Sequence, residues 1–149
     1  MKVNSVACVA SHSALDVFDG AKDEGLSTVA ICKRGRDAIY KALPELIDHY
    51  IDLGDYKEML SDLVQSRLIE LGSVVVPNRS MAVYVGYDGI ERGLRVPVFG
   101  NRRMLRWEER TGEKNYYRLL DEAGVRRPRT FSEIDEVDRP VVLKVQEAE

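Results

Sequence analysis

Two textures alternate along this chain. Short, nearly unbroken apolar runs are separated by stretches in which apolar residues return every third or fourth position. The runs read as strands buried on both faces, and the periodic stretches as helices packed on them. Residues 3–9 (VNSVACV) form the first expected strand, and residues 14–24 a helix that Gly25 caps. TVAIC at residues 28–32 is the second strand, and residues 37–43 are a helical turn before Pro44. Residues 49–53, flanked by Asp48 and Gly54, are the third strand. Residues 55–71 carry Met59, Leu60, Leu63, Val64, Leu68 and Ile69 near the helical period, which predicts one helix ended by Gly72. A fourth, fully buried strand is expected at residues 74–77. Asn78-Arg79-Ser80 then opens a helix with Met81, Tyr84, Val85 and Ile90 on its apolar face, and residues 96–100 (VPVFG) form a short fifth strand.

This repetition predicts an α/β fold, a Rossmann-like, mainly parallel sheet with right-handed crossovers. The texture changes at Asn101. NRRMLRWEER is dense in charge, a helix is expected over residues 114–123 before Gly124, and Trp107 is expected to pack between two layers. RRPRTFSEIDEVDRPVVLK reads as a linker followed by a new strand at residues 140–145. Two domains follow from this, residues 1–100 and 101–149, the second broken off soon after its first strand.

In a doubly wound sheet, the turns after the first and fourth strands share the carboxyl edge where such folds bind ligands. Ser11-His12-Ser13 would therefore face the same crevice as Asn78, Arg79 and Ser80. Hydroxyls, an imidazole and a guanidinium beside helix N-termini suit a phosphorylated small molecule. The competing reading is that Ser13, Asn78 and Ser80 only cap helices and Arg79 is solvated. The first turn lacks G-x-G-x-x-G and so is not a dinucleotide fingerprint. Lys33, Arg34 and Arg36 after the second strand, and the segment Phe99 to Arg103 after the fifth, either add phosphate affinity or are solvated basic loops. A serine nucleophile is disfavoured. Ser11 and Ser13 neighbour His12 in sequence, which seldom makes a nucleophile–base pair, and there is no G-x-S-x-G elbow.

Composition narrows the classes further. With 44% hydrophobic and 32% charged residues the chain belongs among globular proteins. Its 22 basic and 25 acidic residues give a formal charge of −3, which argues against nucleic-acid partners. No apolar run approaches the roughly 20 residues of a membrane helix, and no signal-peptide stretch is seen, so a cytoplasmic protein without a membrane partner is expected. Cys8 and Cys32 fall near strand ends as small buried hydrophobes. Neither CxxC nor HExxH occurs, so no zinc site is proposed.

Three stretches carry a resemblance: ASHSALDVFDGAKDEG at 10–25, VVVPNRSMAVYVG at 74–86 and VPVFGNRRMLRWEE at 96–109. LLDEAGVRRPRTF with PVVLK after it extends it. The chain resembles the archaeal formate-dependent 5-formaminoimidazole-4-carboxamide ribonucleotide (FAICAR) synthetases, a purine-biosynthetic branch of the ATP-grasp superfamily. The resemblance implies a nucleotide-binding pre-ATP-grasp domain followed by the start of an ATP-grasp domain. It also implies the N-terminal part of a ligase that converts the aminoimidazole nucleotide AICAR to FAICAR on the way to IMP.

In that reaction ATP activates formate as formyl phosphate, which the 5-amino group of AICAR attacks. Family members contact AICAR through the residues matching His12 and Ser80, the two turns already paired, with Ser11, Ser13 and Arg79 beside them. Lys144 is similar in position to the lysine that meets ATP phosphate. The Mg2+ ligands are expected in a further C-terminal part, so this chain alone is expected to be inactive, and a homo-oligomer is expected of the complete enzyme. Many members have His-Gly-Ser where this chain has Asn78-Arg79-Ser80. The alternative from another class is a non-catalytic purine-nucleotide-binding or interaction module on the same scaffold.

Overall fold

The computed structural model describes residues 2–11, 13–107 and 113–143. They fall in two compact units, Met1–Arg103 and Met104–Glu149. The first is built on a four-stranded parallel sheet of order β3-β2-β1-β4, with β1 at Ser5–Val9, β2 at Ser27–Lys33, β3 at His49–Leu53 and β4 at Ser73–Val75. Val6 pairs with Thr28 on one side and Val74 on the other. The chain winds outward from β1 to β3, then returns across to β4. Right-handed crossovers in these two directions place their helices on opposite faces of the sheet.

Those helices are α1 (Ala14–Asp23), between β1 and β2, and α3 (Asp62–Glu70), before β4; the short α2 (Ala38–Lys41) precedes β3. On one face Cys8, Ala10, Ala30 and Cys32 pack with Ala14 and Phe18 of α1, Tyr40 and Ile47. Alternation sends Ala7, Val9, Val29 and Ile31 to the other face, and all four are fully buried. This double coverage explains why the strands are apolar without a break. At the amino edge, Asp48 accepts from Thr28 N–H at 2.7 Å and from Lys22 Nζ at 2.6 Å, tying β2 to α1.

Several expectations change. The helix expected over residues 55–71 is two pieces, a 3-10 turn Tyr56–Leu60 and then α3. Ser61 adopts an extended backbone between them and caps α3 through Val64 N–H, while buried Gln65 takes up the Leu60 carbonyl. The apolar period runs across the break, so periodicity alone could not find it. Leu63 and Ile69, counted in the buried stripe, are exposed.

The helix opened by Asn78, α4 (Arg79–Val85), stops at Gly86, whose φ of 83° few other residues adopt. Ile90 therefore sits in a separate π-helical turn, Gly89–Gly93. A Cβ on Gly89 would come within 2.8 Å of a Leu60 methyl, so any other residue there would have to displace the Leu60 side chain. Tyr84, expected in the core, is 42% exposed and stacks on buried Tyr56 at 5.0 Å. Val74 is only half-buried, and the fifth strand is a single parallel bridge, Val75 to Val98. Pro97 has no N–H to extend that ladder.

The second unit contains α5 (Met104–Trp107), α6 (Tyr116–Glu122) and a 3-10 turn Ile134–Glu136. Asn115 caps α6 through Arg118 N–H at 3.0 Å, and Gly124 follows it with φ 64°. Trp107 is half-buried within this unit, with Lys114 Nζ 5.6 Å from its ring centre. The strand expected at residues 140–145 is not formed over its described part, residues 140–143, where Leu143 is 96% exposed. The rest of it lies outside the described residues.

Candidate functional site at the sheet switch point

Strand order reverses between β1 and β4, and the crevice outside their carboxyl ends is where open α/β sheets take ligands. The turn after β1 is fixed from three directions. Ala10 N–H donates to Ile31 O at 2.9 Å. The Ser11 carbonyl accepts from Ala14 N–H at 2.9 Å and from the Tyr40 hydroxyl at 2.7 Å. Tyr40 is itself braced, its carbonyl accepting from the Tyr50 hydroxyl at 2.8 Å. Burial pushes the Tyr40 phenol up to about 12, with Cys32 and Cys8 adding smaller contributions, so it remains a donor at neutral pH.

The turn after β4 meets this one through Asn78. Its Oδ1 accepts from Met81 N–H at 3.0 Å and caps α4. Its Nδ2 lies 2.8 Å from Val9 O, 3.0 Å from Ser11 Oγ and 3.3 Å from Cys8 Sγ. The pairing of the two turns, expected from topology, is thus a direct contact. The capping reading of Asn78 is also correct.

The other site residues divide. Ser13 stands at the cap position of α1, but its hydroxyl makes no capping bond, so that bland reading does not hold for it. Ser80 is half-buried in the first turn of α4. Arg79 is exposed and is not without a partner. His12 and Lys144 lie outside the described residues.

Two basic loops are partly spent on structure. Lys33 pairs with Asp55 at 3.7 Å. Arg102 braces the chain, donating to the carbonyls of Leu94 at 2.7 Å, Val96 at 3.2 Å and Ile90 at 3.4 Å. To that extent it is committed to bracing the segment from Ile90 to Val96.

Cys8 and Cys32 are free and buried. Burial raises each thiol to about 12; the Asn78 bond opposes it at Cys8, and Asp52 and Asp37 add to it at Cys32. Neither is a nucleophile at neutral pH. Among the described residues no group of three His, Cys, Asp or Glu side chains could hold a metal ion. Tyr40 went unassigned in the sequence. Only its place in a short helical turn before Pro44 marked it, and nothing local says that its hydroxyl reaches Ser11.

Residues 6–131 match the family described as "Protein of unknown function (DUF1246)". The chain belongs to this family. The three stretches that carried the resemblance all lie within the matched residues. Curated relatives of the chain include a protein of Methanopyrus kandleri, 46% identical over 141 residues, and one of Methanocaldococcus jannaschii, 39% identical over 140. Both are named 5-formaminoimidazole-4-carboxamide-1-(beta)-D-ribofuranosyl 5'-monophosphate synthetase. The matches take in 94% of this chain but only 38% of each relative's length. A crystal structure of an IMP biosynthesis protein, PurP from Thermococcus kodakaraensis, superposes with TM-score 0.66 at 32% identity, covering 82% of this chain and 37% of that one.

Proposed function

We propose that this chain is the N-terminal, nucleotide-holding part of an ATP- and formate-dependent ligase that converts AICAR to FAICAR in IMP biosynthesis. The observation that carries the reading is the shared synthetase name of relatives up to 46% identical across 94% of this chain. The contact between the turns after β1 and β4 at the switch point supports it. AICAR, formate and ATP give FAICAR, ADP and phosphate; ATP with Mg2+ supplies the activation of formate, and this chain's residues hold the acceptor. Ser80, beside the first N–H groups of α4, suits an anionic or polar atom of AICAR, and His12, next in sequence to Ser11, is assigned to the same ligand. Ser11, Ser13 and Arg79 complete this set, and Lys144 is assigned to ATP phosphate.

We assign this chain to substrate binding, with the Mg2+ ligands expected in a further C-terminal part of the ligase. No described helix is long and apolar enough to cross a membrane. The proposal includes a cytoplasmic homo-oligomer. Isothermal titration with AICAR tests it. The wild-type chain binds, and His12→Ala or Ser80→Ala each weakens binding at least about tenfold, the loss of one good hydrogen bond. Unchanged affinity in both variants would contradict the assigned site.

A further inference from the structure

Asn78 is oriented by its own bonds. Because Oδ1 must be the atom that accepts from Met81 N–H, Nδ2 is the atom that faces Val9 O and Ser11 Oγ. A primary amide carries two hydrogens. The two oxygens take them, and the Cys8 sulfur is a weaker third acceptor. The Ser11 hydroxyl therefore enters this contact as the acceptor and keeps its own hydrogen. Among the described residues no acceptor takes that hydrogen. The Ser11 backbone is held by Ala14 N–H and the Tyr40 hydroxyl on its carbonyl, and the bond from Asn78 holds the side-chain oxygen.

We propose that Asn78 is a positioning residue: it clasps the turn after β1 to the turn after β4 and commits the Ser11 hydroxyl to donate a hydrogen bond into the crevice. The group it would meet is an acceptor oxygen of the nucleotide, and this rests on the reading of the crevice as the AICAR site. Ser11 then becomes a specificity element, favouring an acceptor over a donor at that point. A clasp of this kind is assembled only when both turns are in place, so the site and the fold of the switch point form together.

Asn78→Ser separates the two jobs of the side chain. Serine caps a helix about as well as asparagine but is too short to span to Val9 and Ser11. Isothermal titration of the full chain with AICAR is expected to show about tenfold weaker binding for Asn78→Ser and for Ser11→Ala. The double variant loses no more than the larger single loss, since both act through one hydroxyl. Fully additive losses, or wild-type affinity in Asn78→Ser, would overturn the inference.

Amide hydrogen exchange without ligand keeps the test independent of the AICAR reading. In Asn78→Ser, exchange speeds at Ala14, whose N–H is held by the Ser11 carbonyl, and stays slow at Met81, whose cap is retained. Unchanged protection at Ala14 would sink the clasp whatever the ligand. Failure of the wild-type chain to bind AICAR, with the Ala14–Met81 contrast intact, would sink the functional reading and leave the clasp standing.

Discussion

An asparagine cap of the same geometry is found in each unit, with different surroundings. Asn78 and Asn115 have nearly the same backbone (φ −130° and ψ 173° against φ −134° and ψ 171°), and each accepts the N–H three residues on at 3.0 Å. Asn78 also reaches across 69 residues of sequence to Val9, inside a unit whose fully buried side chains run from Ser5 to Val96. Asn115 begins a helix with no buried residue, in a unit whose described part has none. Surface pairs surround it, Arg118 with Glu122 at 2.8 Å and Arg127 with Asp121 at 2.7 Å. An identical local signal thus sits at a joint between two strands' turns where a core stands behind it, and at the start of a helix with no buried residue where none does.

The largest effect should separate the cores. Phe18 is fully buried and meets the Tyr40 ring edge-on at 6.5 Å. Phe18→Ala is expected to cost about 3–5 kcal/mol in urea unfolding, whereas Leu143→Ala, at a 96% exposed position, stays within about 0.5 kcal/mol. Comparable costs would break the contrast. Next come the two caps. Asn78→Ala loses a cap and a half-buried clasp, about 2 kcal/mol globally. Asn115→Ala costs about 1 kcal/mol, seen as faster amide exchange at Arg118 without a shift of the global midpoint.

Acid sharpens the contrast further. At Asp48 burial alone would raise the pKa, but the bonds from Lys22 and Thr28 outweigh it and hold the carboxyl below its usual range. A depressed folded pKa means that the unfolded chain takes the proton first. The contribution is therefore complete above the unfolded value of about 3.9 and is lost as pH falls through the folded one. Asp48→Asn should flatten this acid limb in unfolding measured between neutral pH and pH 3. Asp121, lowered by its bond to Arg127 but more than half exposed, should flatten the limb far less when replaced by Asn.

The smallest effect leaves stability alone. Native Cys8 and Cys32 resist thiol reagents and react only on unfolding, whereas a cysteine placed at exposed Ser132 labels at once. Rapid labelling of the native thiols would show that the core is open.

The contrast also explains what the sequence made legible. β3 falls on the residues expected, and the other three full strands within one or two residues, because each run is apolar for the same reason that it is buried. The pairing of the two turns followed from strand order alone. What was missed depends on single polar atoms. Ser61 breaks a helix whose apolar stripe continues, Pro97 reduces a strand to one bridge, and Tyr40 reaches Ser11 across 29 residues of sequence. In the second unit the apolar run at residues 140–143 resembles a strand, but it is exposed and unpaired.

The most direct test of the central claim is an AICAR titration of the isotopically labelled chain, followed amide by amide by NMR. The expected result is shifts concentrated at Ser11, Ser13 and the segment from Asn78 to Met81, with residues 116–130 unmoved. Shifts concentrated in residues 116–130, or none at saturating AICAR, would contradict it.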